Sequence, residues 1–382
     1  MLETVFWIAV GLVAYVYVGY PILIALLGLR KRRVKSDASH QPSVTILIAA
    51  YNEAKDIVAT LQNKLGQNYP QDKLEILVVS DESDDGTDEL VEEVARNTVI
   101  PVRLFRQVPR QGKTSGLNLI VPEARGEIIL FSDANSEWAP DAIARIVANF
   151  ADPQVGYVTG KMVYTNPDGS LVGDGCSAYM KYENWLREKE TAVGSVVGVD
   201  GGIDAMRRAL YEPLRSDQLP DFVQPLKVVE KGYRVVYEPK ALLREAALQD
   251  AGSEFGMRIR VTLRAMWALK DMSQLMNPLV HGVFAIQMIS HKLLRYLAFV
   301  PLVILMLVST ILADEGGFYT LAFFAQIAFY GAAVYGHSKE GQALPNYLAI
   351  PLYFTLLNLA CIQAAMAFLR GEKKVIWTPR KG

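Results

Sequence analysis

Asp133 and Asn135 stand one residue apart at the end of an apolar run, Ile128 to Phe131, inside the stretch Glu127 to Ser136. Such a run reads as a buried strand. A strand that ends on a carboxylate and an amide puts two oxygen donors at one point. Hard divalent cations take oxygen ligands, so a divalent metal carrying a diphosphate suits this spacing. An Asp/Asn-rich turn at a strand end is the other reading of the same residues.

Other apolar runs end in the same way. Val44 to Glu53 is a strand running into a polar turn, and a helical stretch, Ala54 to Leu65, follows it. Leu74 to Ser83 repeats the pattern, which fits a βα unit. A Glu-rich helix over Thr87 to Arg96, a third strand over Val102 to Gln107 and a helix over Gly112 to Ala124, interrupted near Pro122, complete the first half. Strands alternating with helices predict an α/β fold, a mostly parallel sheet with helices on both faces. Ligands bind such sheets beyond the carboxyl ends of the strands. Those ends carry Asn52 and Glu53, then Asp81, then Asp133 with Asn135, and together they point to one crevice. No GxGxxG follows the first strand, so a dinucleotide fingerprint is absent.

The next stretch is less regular. Gly156 to Tyr164 reads as a strand. Ala178 to Val193 reads as a helix with Tyr179, Tyr182 and Trp185 at near-helical spacing, either core or a substrate platform. Val196 to Arg208 is glycine-rich around Asp200, where the backbone turns sharply or approaches something closely. A helix over Asp221 to Lys231 precedes another strand. Asp221 suits an N-cap. Ser253 to Lys270 is a basic helix carrying Arg258, Arg260 and Arg264.

The chain of 382 residues has a formal net charge of -1, which gives no field for nucleic acid. Cys176 and Cys361 lie far apart and read as buried hydrophobes, and the four histidines form no ligand cluster. Phe6 to Leu29 is nearly uncharged and long enough to cross a bilayer, which takes about 20 apolar residues. The basic run Arg30 to Arg33 follows at once, which predicts a cytosolic location for what comes next. After Asn277 the chain is apolar again. Val280 to Tyr296 resembles an interfacial or re-entrant helix, and Leu297 to Leu312, Phe318 to Tyr335 and Leu348 to Leu369 read as spans. Three spans would leave the basic tail outside, against the positive-inside rule, unless Val280 to Tyr296 also inserts. The expected organisation is an anchor and basic flank over 1–33, a cytosolic domain over 41–270, an interfacial or re-entrant helix over 277–296, spans over 297–370 and a tail over 371–382. The expected location is the plasma (inner) membrane, multi-pass, in contact with membrane lipids.

Taken together, these residues resemble the inverting processive family-2 glycosyltransferases, which include cellulose, hyaluronan and poly-N-acetylglucosamine synthases. The resemblance covers roughly Ser43 to Arg264. It implies a cytosolic GT-A domain flanked by transmembrane helices, a UDP-sugar donor, and Mg²⁺ or Mn²⁺. By position, Ala50, Tyr51, Asn52 and Glu53 resemble the nucleotide-binding opening. Asp81 matches an aspartate that contacts uracil, and Lys113 a basic residue near the phosphates. Asp133-Ala134-Asn135 matches the DxD metal motif, with Asn in place of the second Asp and one charge fewer at the metal. Leu219-Pro220-Asp221 falls where the family has Thr-Glu-Asp, which makes Asp221 the implied general base. The QxxRW motif is reduced to Met257-Arg258-Ile259-Arg260-Val261, in which Arg260 alone matches. Contacts that distinguish one donor sugar from another are expected around Asp200 to Asp204 and Tyr179 to Trp185.

The implied reaction is a single displacement at the anomeric carbon, giving a β-glycoside. Asp221 takes the acceptor proton, the cation on Asp133 and Asn135 stabilises the leaving diphosphate, and Lys113 and Arg260 add donors. A growing polysaccharide is the first acceptor expected and a membrane lipid the second. A third reading is an inactive nucleotide-binding subunit of a secretion complex, made conceivable by the substitutions at Asn135, Pro220, Met257 and Val261.

Overall fold

The computed structural model describes residues 1–165, 175–246, 251–339 and 344–373. The tail beyond 373 and the side chain of Cys176 lie outside the described residues. The chain divides into two compact units. One comprises Met1–Leu29, Val172–Leu186 and Ala247–Lys373; the other comprises Arg30–Leu171 and Arg187–Ala246.

The second unit is built on one sheet of eight described strands: β1 (Val44–Ala50), β2 (Leu74–Ser80), β3 (Val102–Arg106), β4 (Ile128–Asp133), β5 (Glu137–Trp138), β6 (Val155–Thr165), β7 (Ile203–Arg207) and β8 (Arg234–Ala246). They lie in the order β3-β2-β1-β4-β7-β6-β8-β5. β3, β2, β1 and β4 run parallel. β7 then enters antiparallel to both β4 and β6, while β6 and β8 are parallel. The sheet is therefore mixed, and its regular parallel half is the βα repeat visible in the sequence.

β1 and β2 are buried at every position, as strands covered on both faces must be. Period-two alternation sends Leu47, Leu77, Val79, Ile129 and Phe131 to one face, where Leu117 and Ile120 of the helix Lys113–Ile120 pack on them. That packing fixes the helix start, Lys113, beside the carboxyl ends of the strands. The register pairs Ala49 with Asp133 and Ala50 with Ser80, so the polar ends of β1, β2 and β4 fall level with one another.

The first unit is helical. Among its described residues, Leu2–Leu27, Gly317–His337 and Asn346–Leu369 are long and apolar enough to cross a membrane. Val283–Tyr296 and Phe299–Ile311 are bent by 54° at a short break, and would make a fourth crossing if counted as one. The 13 residues of Phe299–Ile311 are too few to cross alone. Pro301 has no N–H to give the Leu297 carbonyl, which accepts from the Val300 N–H at 3.0 Å instead, and Pro301 falls in the first turn of the new helix, where a missing N–H is tolerated. Within this unit Glu183 is buried with Arg295 and with His291 Nε2, the latter at 3.2 Å. Such pairing is what keeps a carboxylate inside an apolar bundle. Tyr179 packs on Tyr353, with ring centroids 5.6 Å apart, and the Arg295 guanidinium lies over the rings of Tyr179 and Tyr182. Tyr179 and Tyr182 are half-buried within the helical unit, whereas Trp185 is exposed. Cys361 is free and buried.

Candidate active site

Three of the expected residues meet at the end of β4. Asp133 is its last residue, and Oδ1 accepts a hydrogen bond from Lys113 Nζ at 2.8 Å. The same ammonium lies 3.7 Å from Asp221 Oδ1. Asp221 sits in the first turn of the helix Pro220–Glu230, whose positive end favours a carboxylate. Pro220, which stands where the resembled family has Glu, opens that helix, a position that suits a residue without an N–H. Burial works against the Lys113 charge, but Asp133 and Asp221 hold its pKa above the ordinary lysine value. Lys113 is therefore a cation shared by two carboxylates.

Two glycines keep those carboxylates close. Gly201 has φ +83°, and a Cβ there would lie 2.7 Å from Asp221 Oδ2. A Cβ on Gly202 would lie 2.5 Å from Leu243 Cδ2 and 3.6 Å from Asp133 Oδ2. Asp204, buried behind them, accepts hydrogen bonds from Tyr157 Oη at 2.9 Å and from the Gly201 N–H at 3.1 Å. Burial, joined by the Asp221 charge, pushes Asp204 up to about 7 against the pull of the Thr159 and Tyr157 hydroxyls.

The other expected residues form a polar rim along β1 and β2. The Ala50 carbonyl accepts from the Asp81 N–H at 2.8 Å. Asn52 has φ +54° and exchanges two hydrogen bonds with Asp84, while the Glu53 N–H donates to Thr87 Oγ1 at 2.9 Å. The Arg110 guanidinium lies 3.3 Å from the Tyr51 ring centroid. Asp81 is almost fully buried. It accepts from the Gln107 side chain, the Arg110 guanidinium and the N–H groups of Gln111 and Gly112. In this arrangement Asp81 shapes the loop that leads into Lys113. Asp200 is gripped by both guanidinium nitrogens of buried Arg187, each at 2.6 Å. Arg260 belongs to the other unit, on the helix Ala251–Asp271.

Asp133, half-buried, and Asn135, also half-buried, offer oxygen donors from one turn. Among the described residues no group of three His, Cys, Asp or Glu converges as a metal cage. Two protein oxygens fit a cation that completes its shell with phosphate oxygens and water, as Mg²⁺ does. The sequence reading missed Lys64, Arg110 and Arg187, and it named Asp204 only as the end of a stretch near the donor sugar. Lys64 had a signal: it follows Ile57, Thr60 and Leu61 along the buried stripe of the helix Ile57–Leu65, where a lysine is out of place.

Residues 45–215 match the model of glycosyl transferase family 2. The chain is 29% identical over 169 residues to a beta-monoglucosyldiacylglycerol synthase of Trichormus variabilis, covering 44% of this chain and 36% of that protein. It is 28% identical over 223 residues to the poly-beta-1,6-N-acetyl-D-glucosamine synthase of Staphylococcus aureus, covering 57% of this chain and 53% of that protein. The chain thus spans about a third to a half of these relatives' length. A mannosyltransferase from Pyrobaculum calidifontis, solved in complex with GDP-Man and Mn²⁺, superposes with a TM-score of 0.74 at 25% identity. That likeness covers 97% of this chain and all of the solved one. The fold is GT-A-like, a mixed α/β sheet with helices, accompanied by several apolar helices long enough to cross a membrane.

Proposed function

With a family-2 glycosyltransferase domain over residues 45–215 as the premise, we propose that this chain moves a sugar, with inversion, from a nucleotide sugar to an acceptor held at a membrane. The observation that carries the reading is the single ammonium of Lys113 between Asp133 and Asp221 at the end of β4. Asp221 removes the acceptor proton as the hydroxyl attacks the anomeric carbon. A positioned base of this kind contributes roughly 10²–10⁴-fold. Asp133 and Asn135 hold Mg²⁺ or Mn²⁺, which when bound supplies Lewis-acid stabilisation of the leaving diphosphate. Lys113 is placed to move from the carboxylates to that diphosphate. Tyr51 and the Asn52 to Glu53 turn form the nucleotide opening, and Arg260 is assigned to the diphosphate or acceptor side. The Mn²⁺ bound in the mannosyltransferase of similar fold supports the cation.

The donor follows the resemblance to UDP-sugar enzymes. GDP-Man in that mannosyltransferase makes a GDP-sugar the second reading. For the acceptor, we infer a membrane lipid. The loss of QxxRW at Met257 and Val261, the three to four stretches long and apolar enough to cross a membrane among the described residues, and the similarity to a glucosyldiacylglycerol synthase support it. A growing polysaccharide is the second reading, supported by the similarity to a poly-N-acetylglucosamine synthase and by apolar helices before and after the domain. We place the domain on the cytosolic side because Arg30 to Arg33 directly follow the first helix. Proton NMR of the product tests the chemistry. A β-linkage from an α-linked donor is expected, and an α-linkage contradicts the single displacement.

A further inference from the structure

Lys64 is fully buried, on a helix face that should be apolar. Its Nζ donates to the Ser136 carbonyl at 2.6 Å, to Ser136 Oγ at 3.3 Å and to Asn63 Oδ1 at 3.0 Å. It also lies 4.3 Å from the centre of the Trp138 ring. Three donors are thus satisfied, which is what an ammonium needs to stay inside a protein. Burial nevertheless pushes its pKa down to about 7, with Asp133 and Glu137 pulling the other way. An apolar side chain would fill the same place without that cost. The expense goes into one segment, the turn that carries Asp133 and Asn135.

The same helix face holds that turn at two other points. Thr60 Oγ1 donates to the Ala134 carbonyl at 2.7 Å, and Asn63 exchanges two hydrogen bonds with the Trp138 backbone, at 2.9 and 3.0 Å. Thr60, Asn63 and Lys64 are neighbours on one face of a helix by their three- and four-residue spacing. Ala134 separates the two oxygen-bearing residues and Ser136 follows them, so the carbonyls being held flank Asn135. Inside the turn, Ser136 Oγ donates to the Asp133 carbonyl at 3.0 Å. Beyond it, Trp138 Nε1 donates to the Gly202 carbonyl at 3.0 Å, tying the turn to the glycines beside Asp221.

We propose that Lys64, with Thr60, is a positioning residue that fixes the Asp133 to Ser136 turn so that Asp133 and Asn135 present their oxygens to one divalent cation. The inference rests on the metal reading of those two residues. It also accounts for how a site with one carboxylate and one amide holds a cation. With fewer charges to attract the ion, the geometry of the remaining donors matters more. Groups that orient metal ligands typically contribute roughly 10–100-fold in metal affinity.

The test is Mn²⁺ binding by the full chain in nanodiscs, read by electron paramagnetic resonance with UDP or GDP present. Lys64→Met and Thr60→Val are each expected to bind Mn²⁺ about 10-fold or more weakly. Thr60→Ser, which keeps the hydroxyl, is expected to restore the wild-type value. Nucleotide affinity without metal stays unchanged in all three. Folded Lys64→Met or Thr60→Val with wild-type Mn²⁺ affinity overturns the inference. If Lys64→Met does not fold, the Thr60→Val and Thr60→Ser pair decides. A wild-type protein that takes up no Mn²⁺ with either nucleotide overturns the metal reading itself, a result distinct from variants that bind as the wild type does.

Discussion

Lys113 Nζ lies 2.8 Å from Asp133 Oδ1, although the two residues come from the start of a helix and the end of a strand. In the proposed reaction this ammonium neutralises charge as the diphosphate leaves. Replacing it with Met leaves Asp133 and Asp221 facing each other without their shared cation. Lys113→Met is expected to lower nucleoside diphosphate affinity by roughly 10-fold, the scale of one charge-assisted hydrogen bond. Calorimetry with UDP and GDP checks this.

Asp221→Asn is expected to keep the fold and the bound nucleotide but lose about 10²–10⁴-fold in turnover. The amide keeps the shape at the N-terminus of the helix Pro220–Glu230 but cannot take a proton. Single-turnover transfer, measured beside nucleotide binding, separates the two effects. Normal turnover would remove Asp221 from its role.

Much of this site was legible in the sequence, for physical reasons. Asp81 and Asp133 stand out because apolar strands announce their own ends. Lys113 and Asp221 begin helices, and helix starts carry local signals. The neighbours that position them were not legible. Asp204 lies within a short buried strand and meets Tyr157 from another strand, a pairing that only the antiparallel register of β6 and β7 creates. Arg187 reaches Asp200 across a glycine-rich stretch whose path no periodicity reveals. The switch from parallel to antiparallel at β7 is likewise set by long-range pairing rather than by local pattern.

Gly201→Ala is expected to damage activity more than folding. Its φ of +83° strains any side chain, and the new Cβ would meet Asp221 Oδ2 at 2.7 Å. The carboxylate has to move, at a conformational cost of about 1–2 kcal/mol for the backbone alone. A melting curve together with turnover measures both parts. Wild-type turnover in a destabilised variant would show that Asp221 is not held by this glycine.

Asp204 sets a pH dependence of stability. Its folded pKa is raised from 3.8 to about 7, with burial as the main cause. The folded protein then holds the proton more tightly than the unfolded chain. The resulting stability is fully present below about pH 4 and is lost as pH rises towards 7. Asp204→Asn is expected to flatten this window. The difference in denaturation midpoint between wild type and variant, followed from pH 4 to 8, should grow steadily more favourable to the variant. A constant difference would contradict the raised pKa.

Chelation gives a further check. Excess EDTA is expected to abolish transfer, and Mn²⁺ or Mg²⁺ to restore it. Asp133→Ala should show no restoration, because it removes the only carboxylate among the two oxygen donors of the turn. Full activity in EDTA would argue against a cation on Asp133 and Asn135.

The most direct measurement is a donor screen on the purified chain in lipid nanodiscs with Mn²⁺. Each UDP- and GDP-sugar is supplied in turn, and released nucleoside diphosphate and labelled product are followed together. The account predicts that one donor gives diphosphate and an equal amount of β-linked label, recovered in the organic-extractable fraction. Label in a high-mass, glycosidase-sensitive product would keep the chemistry and replace the lipid acceptor with a polysaccharide. Diphosphate release no greater than that of Asp221→Asn, with every donor, would contradict the account.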